Sequence, residues 1–323
     1  ALLPAVEAEF AQRHGRVPGG AFAIVGMGRL GSREMTLASD LDLILIYDAP
    51  PGIESSDGAQ PLSVSAYYAR LSQRLIGAVT APTAEGALYP VDMRLRPSGA
   101  AGPIASSLES FARYQHEAAW TWEHMALTRA RPVAGGIALC RRVGETIDAV
   151  LRSRRDPQRL VVDVADMRRR IAAEHPRPSP WDLKNRRGGL IDLEFIVQYL
   201  MLREAARSPQ VLCRATAAAL SALAAAGALS GQAAHELGLA LALLRQVQAV
   251  LTLIGEDGSQ HRGFAEPDAA TLARCSGAID FARLDADITA AAAQVSTWYE
   301  RLVEEPARST RREAAEPAGE SAS

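Results

Sequence analysis

The stretch Gly26-Met-Gly-Arg-Leu-Gly31-Ser32 running into Ser39-Asp40-Leu41-Asp42-Leu-Ile-Leu-Ile-Tyr47 restricts the fold more than any other part of the chain. It reads as an apolar strand over Ala21–Val25, a glycine-rich turn, and a second apolar strand that opens with two aspartates. Residues two apart on a strand point to the same side, so Asp40 and Asp42 are expected to project together beside the turn. Paired carboxylates are hard oxygen ligands suited to Mg²⁺ or Mn²⁺. A cation beside a turn whose backbone can approach a phosphate is equipment for phosphoryl or nucleotidyl transfer. The same glycines also spell G-x-G-x-x-G, the dinucleotide-binding fingerprint. That reading needs a crossover of about a dozen residues or more between parallel strands. Only Ser32 to Ser39 separate the last glycine from Asp40, and the fingerprint leaves Asp40 and Asp42 without a role.

The remaining composition narrows the function classes. At 323 residues, 48% hydrophobic and 22% charged, the chain has the make-up of a soluble globular protein of two domains or one large one. A net charge of -2 and a pI near 6.4 argue against a broad nucleic-acid footprint. Cys140, Cys213 and Cys275 lie far apart with no metal or redox spacing, which fits a reducing, cytoplasmic setting. The longest apolar stretch, Leu237 to Leu244, stops at Arg245, so no membrane span is expected. The chain opens on alanine and already looks helical over Leu2 to His14, as a segment of a longer protein would.

Organisation follows from periodicity. A Pro-, Gly- and Ser-rich loop over 50–63 precedes a helix at 64–79, and Leu88 to Leu95 alternates as a strand. Beyond the turn Pro97-Ser-Gly-Ala-Ala-Gly102, helices are expected at about 106–130, 136–151, 157–174, 189–206, 212–226, 231–254 and 279–303. From Glu304 the composition turns to Glu, Arg, Ala, Ser and Pro without an apolar period and is read as a disordered tail. The expected domains are 1–105, 106–303 and the tail 304–323.

The element Tyr89-Pro-Val-Asp92-Met-Arg94-Leu-Arg96-Pro97 supplies a third acid and two arginines. Alternation puts Val91, Met93 and Leu95 on one face and Asp92, Arg94 and Arg96 on the other. Alone, this is a half-buried strand with a solvated face. Beside the paired aspartates it offers a third metal ligand and guanidiniums for a departing pyrophosphate.

Together these residues resemble a known family. Gly28-x-Leu-Gly-x-x-Glu34 followed by Ser39-Asp-x-Asp-Leu43, then Val91-Asp-Met-Arg-Leu-Arg-Pro-Ser-Gly-Ala-Ala-Gly102, resembles glutamine synthetase adenylyltransferase, within the DNA polymerase β-like nucleotidyltransferase superfamily. The resemblance continues in Trp120-Thr-Trp-Glu-His-Met-Ala-Leu-Thr-Arg-Ala-Arg131 and in Leu183-Lys184-x-x-x-Gly-Gly-x-x-Asp192-x-Glu194-Phe-Ile-Val-Gln198. It covers about residues 20–205 specifically and the helices to about 303 more loosely. Arg29 and Ser32 depart from the commoner lysine and glycine.

The resemblance implies an α+β fold, a small mixed-sheet nucleotidyltransferase domain followed by a helical bundle. It implies metal ligands at Asp40, Asp42 and Asp92, with ATP as substrate and Mg²⁺ or Mn²⁺ as cofactor. It also implies a phosphate-holding turn at Gly31-Ser32, and Lys184 with Gly188-Gly189 where the helical domain meets the nucleotide. Arg94 and Arg96 are placed at the pyrophosphate by position. The family joins two such units, one attaching AMP to a tyrosine of glutamine synthetase and one removing it by phosphorolysis. The Pro97–Gly102 turn and the Trp120–His124 stretch resemble the attaching, C-terminal unit. The implied protein partner is glutamine synthetase, with a PII-type signal protein and glutamine as effectors and no nucleic acid or membrane.

Other residues have structural readings. Tyr114, Trp120 and Trp122 are expected in the core rather than stacked on adenine. Asp192 and Glu194 suit a helix N-terminus as well as they suit catalysis. The Arg152–Arg155 and Arg168–Arg170 clusters are read as solvated helix faces, and His116 and His124 form no metal set. The rival functions are the removing unit, a non-catalytic regulatory module, and transfer to a small molecule or an RNA 3′ end. Three intact acids disfavour the second, and near-neutral charge disfavours the RNA version of the third.

Overall fold

A computed structural model describes residues 2–84, 86, 89–255 and 264–315. The described chain forms two compact units, Ala1–Arg152 and Ser153–Ser323.

In the first unit, helix α1 (Leu2–His14) precedes strand β1 (Ala21–Gly26), the short helix α2 (Gly28–Ser32) and strand β2 (Leu41–Asp48). Helix α3 (Val64–Thr80) leads to the two-residue strands β3 (Val91–Asp92) and β4 (Ser106–Ser107). Helices α4 (Leu108–Glu117) and α5 (Thr121–Leu127), strand β5 (Arg131–Gly135) and helix α6 (Ile137–Leu151) complete it. Strand β1 pairs antiparallel with β2, Ala21 opposite Asp48 and Gly26 opposite Leu43. The connection too short for a parallel crossover therefore makes a simple reversal, as its length requires. Strands β3 and β4 both run parallel to β2 along its other edge, one at its start and one near its end.

Leu43, Ile44, Leu45 and Ile46 are all buried, so β2 is covered on both faces, as its unbroken apolar run requires. Leu43 and Leu45 join Phe22 and Ile24 in a core with Val6, Phe10, Tyr67, Tyr68, Leu71 and Leu75 from α1 and α3. Helices α4 and α6 pack on the strands as well.

Three expectations for this unit are corrected. The sheet does not end near residue 105: β5 pairs antiparallel with β1, so the compact unit extends to Arg152. The expected helix over 106–130 is broken into α4 and α5, because the chain turns at Ala118–Ala119. The expected strand over Leu88–Leu95 is reduced to Val91–Asp92, since Met93 onward curls into a turn closed by Arg96 N–H donating to Met93 O at 3.2 Å. Leu88 itself lies outside the described residues.

The second unit is helical: α7 (Pro157–Glu174), α8 (Leu190–Glu204), α9 (Thr216–Ala225), α10 (Gly231–Leu253), α11 (Glu266–Cys275), α12 (Phe281–Tyr299), a π-helical turn Glu300–Glu304, and α13 (Glu305–Ala315). Sequence periodicity does not anticipate α11. Helix α10 is long and apolar enough to cross a membrane, where none was expected. Its Leu237, Leu241, Leu244 and Val247 are buried within the unit, where it packs on α8, α9, α11 and α12. The tail expected to be disordered is helical through Ala315, and 316–323 lie outside the described residues. Its helix has no broad apolar stripe, but Ala307 is fully buried, four residues after the buried Val303 of the π-helical turn. Arg311 pairs with Asp166 of α7, and Arg187 makes two 2.8 Å contacts to Glu304. The buried Ala307 and the ion pairs to Asp166 of α7 and to Arg187 in the turn before α8 hold a segment whose composition alone would leave it unfolded.

Candidate active site

The glycine turn is built by close packing. Gly31 N–H donates to Met27 O at 2.8 Å, and a Cβ on Gly31 would lie 2.0 Å from the Arg129 carbonyl. Arg131 of β5 donates to the Gly31 and Leu30 carbonyls, both at 3.0 Å, satisfying the C-terminal carbonyls of α2. Arg131 stands in the quoted motif, yet no local signal assigned it this task, because its partners lie a hundred residues earlier. Ser32 is buried and its hydroxyl donates to Gly28 O at 3.1 Å. In this conformation the Gly31 N–H and the Ser32 hydroxyl bond within the turn and α2 itself. Gly31→Ala is expected to destabilise the first unit by about 1–3 kcal/mol or more, since backbone must move to admit the methyl group. A fall in the denaturation midpoint checks this, and an unchanged midpoint would contradict the packing.

The acids are assembled across strands. In the parallel β2–β3 ladder, Asp42 stands directly opposite Asp92. Opposed residues on adjacent strands share a face, so this register carries both carboxylates to one side. The Asp42 carboxylate also fills the space beside the turn: a Cβ on Gly28 would fall 2.2 Å from Asp42 Oδ2. Only glycine at position 28 lets the α2 turn approach this carboxylate so closely. Asp40 lies one residue before β2 and is exposed. No group of three His, Cys, Asp or Glu is drawn together at metal-binding spacing among the described residues. Two hard oxygen donors in register against a glycine turn nonetheless fit a divalent cation.

The arginines diverge. Arg94 donates from its backbone N–H to Asp92 Oδ1 and from Nε to Asp92 Oδ2, both at 2.8 Å, and from Nη2 to Oδ2 at 2.5 Å. That side-chain hydrogen bond is the main reason the Asp92 carboxyl is held below its usual range. Arg96 instead donates to the carbonyls of Met93 at 2.8 Å, Ala100 at 3.2 Å and Gly102 at 3.4 Å. It shapes the Pro97–Gly102 turn from within. The alternation that paired these arginines on one face fails because the strand stops at Asp92.

The aromatic segment also departs from expectation. Trp120 is 68% exposed, and Tyr114 and Trp122 are half-buried, so none belongs to the core. Burying Glu123 sets this arrangement: it accepts from Tyr114 Oη and from Trp120 N–H, both at 2.8 Å, leaving the indole outside.

In the second unit Lys184 is exposed in the turn before α8. Asp192 is fully buried, accepts from Gly188 N–H at 2.5 Å, and pairs with Arg168, which also donates to Asn185 O at 3.0 Å. Arg168 is thus buried, not part of a solvated face. Gly188 has φ +73°, and a Cβ there would meet the Ala292 carbonyl at 1.8 Å. The Gly188-Gly189-x-x-Asp192 motif therefore folds the entry to α8, the capping role open to Asp192 from its position. Glu194 lies 3.7 Å from Arg245 of α10.

Comparison with known proteins agrees with these motifs. A family model described as glutamate-ammonia ligase adenylyltransferase matches residues 2–145, and one described as GlnD PII-uridylyltransferase matches residues 165–303. A relative from Xanthobacter autotrophicus is 45% identical over 305 residues, 94% of this chain and 31% of the relative. One from Mesorhizobium japonicum is 51% identical over 244 residues, 75% of this chain and 24% of the relative. One from Brucella suis is 56% identical over 200 residues, 62% of this chain and 20% of the relative. All three are named bifunctional glutamine synthetase adenylyltransferase/adenylyl-removing enzyme, and the chain spans at most 31% of their length. With its glycine turn, its Asp42–Asp92 register and its α+β architecture of a mixed-sheet nucleotidyltransferase unit followed by helices, the chain is similar over most of its length to the glutamine synthetase adenylyltransferase family.

Proposed function

We propose that this chain transfers AMP from ATP to a tyrosine hydroxyl of glutamine synthetase. The observation that carries the reading is the parallel register of Asp42 with Asp92 against the Gly28 turn. The tyrosine oxygen bonds to the α-phosphorus, the bond from that phosphorus to the bridging oxygen breaks, and pyrophosphate leaves with the electron pair. A free tyrosine hydroxyl has a pKa of about 10, so its proton must be drawn off during attack. Asp42 and Asp92, with Asp40 beside them, would hold Mg²⁺ or Mn²⁺, which when bound lowers that pKa and neutralises triphosphate charge. Arg94 is exposed and can turn to the departing pyrophosphate, while Arg96 holds the turn that presents it. Lys184 is proposed as a further nucleotide contact. A PII-type signal protein is proposed as an effector on the match of the helical unit to a PII-uridylyltransferase model, and glutamine on the family resemblance.

The relatives' name carries two opposite activities, so direction is tested directly. The chain is incubated with labelled ATP, Mg²⁺ and unmodified glutamine synthetase, and in parallel with adenylylated glutamine synthetase plus phosphate. Label is expected on the unmodified enzyme. Release of ADP in the second mixture with no transfer in the first would assign the chain to the removing reaction.

A further inference from the structure

Asp92 is held by Arg94 through three hydrogen bonds, two of them from the side chain. The partners differ in freedom: the Arg94 side chain is 82% exposed and that of Asp92 is 15% exposed. Asp92 also stands in register with Asp42. A solvent-exposed cation therefore occupies an acid that the nucleotidyl-transfer reading gives to a metal.

The guanidinium end of this pair is open to solvent, where water screens the attraction, so Arg94 can leave at little cost. A divalent ion reaching Asp92 must compete for the carboxylate oxygens that Arg94 occupies. A triphosphate offers the departing guanidinium equivalent bidentate acceptors. We propose that Arg94 is a resident counter-ion of Asp92 that is exchanged between the carboxylate and the triphosphate, so that nucleotide arrival frees the metal position. The exchange rests on the nucleotidyl-transfer reading and adds an order to it: Arg94 is a positioning residue for the metal ligand before it is a contact for the leaving group.

The test measures binding, not turnover. Free Mn²⁺ is followed by electron paramagnetic resonance as it is titrated into the full chain without nucleotide. Arg94→Ala is expected to tighten Mn²⁺ binding about two- to fivefold, the equivalent of an exposed pair released. Arg94→Lys keeps the charge but loses the planar fork, and is expected to move part of the way. In EDTA, Arg94→Ala should weaken ATP binding several-fold. Unchanged or weaker Mn²⁺ binding in Arg94→Ala, a wild-type response from Arg94→Lys, or unchanged ATP binding in EDTA would each overturn the exchange. Failure of the underlying reading has a separate signature: Mn²⁺ binding absent, or indifferent to Asp42→Asn, in chains that retain Arg94.

Discussion

Asp42→Asn is expected to reduce AMP transfer by hundreds-fold or more while leaving the fold intact. The substitution keeps the shape of the side chain, and therefore the contact against Gly28, but removes the charge. An amide oxygen is a weaker ligand for a hard cation than a carboxylate. The reaction then loses charge neutralisation on the triphosphate and acidification of the attacking hydroxyl, contributions of the order of several kcal/mol. Far-ultraviolet circular dichroism and the melting curve should match wild type, since Asp42 is not fully buried and the apolar core of β2 begins at Leu43. Transfer of label from ATP under saturating Mg²⁺ is the measurement. Turnover near wild type would remove Asp42 from the site.

Asp192→Ala is expected to have its large effect on stability. The Arg168–Asp192 pair is almost entirely excluded from water, and the same carboxylate accepts the Gly188 N–H. Removing Asp192 leaves a buried guanidinium and a backbone N–H without their acceptor, at a cost of about 3–5 kcal/mol. Against a domain stability of about 5–15 kcal/mol this is a large share. The melting midpoint of the helical unit should fall by roughly 6–20 °C. Replacing both partners by apolar residues, Arg168→Met with Asp192→Leu, should recover much of the loss, because no uncompensated charge then remains. A single substitution that melts like wild type would refute the structural assignment of this motif.

The two substitutions separate what is local from what is not. Helices α3, α6, α7 and α10 were legible because apolar spacing and chain punctuation act within a few turns. The reversal between β1 and β2 was legible too, because eight residues cannot carry a parallel crossover. Strand β5 was not, since it is defined only by pairing with β1 across a long stretch of sequence. Helix α13 was hidden for a related reason: its buried Ala307, and Val303 in the π-helical turn before it, gain their meaning from packing on α7.

The candidate site divides in the same way. By itself the sequence determined the family resemblance: two acids opening an apolar strand, a glycine turn, and a third acid followed by arginines carry it and imply the expected reaction. Only the tertiary structure decided which of these groups meet. It set Asp42 opposite Asp92 and left Asp40 outside the strand. It gave Arg94 to Asp92 and Arg96 to three carbonyls. It turned Trp120 outward and Arg168 inward. The physical reason is that periodicity places a side chain on a face of its own element. Partners and burial depend on which other element arrives there, and that is settled by packing between segments far apart in the chain.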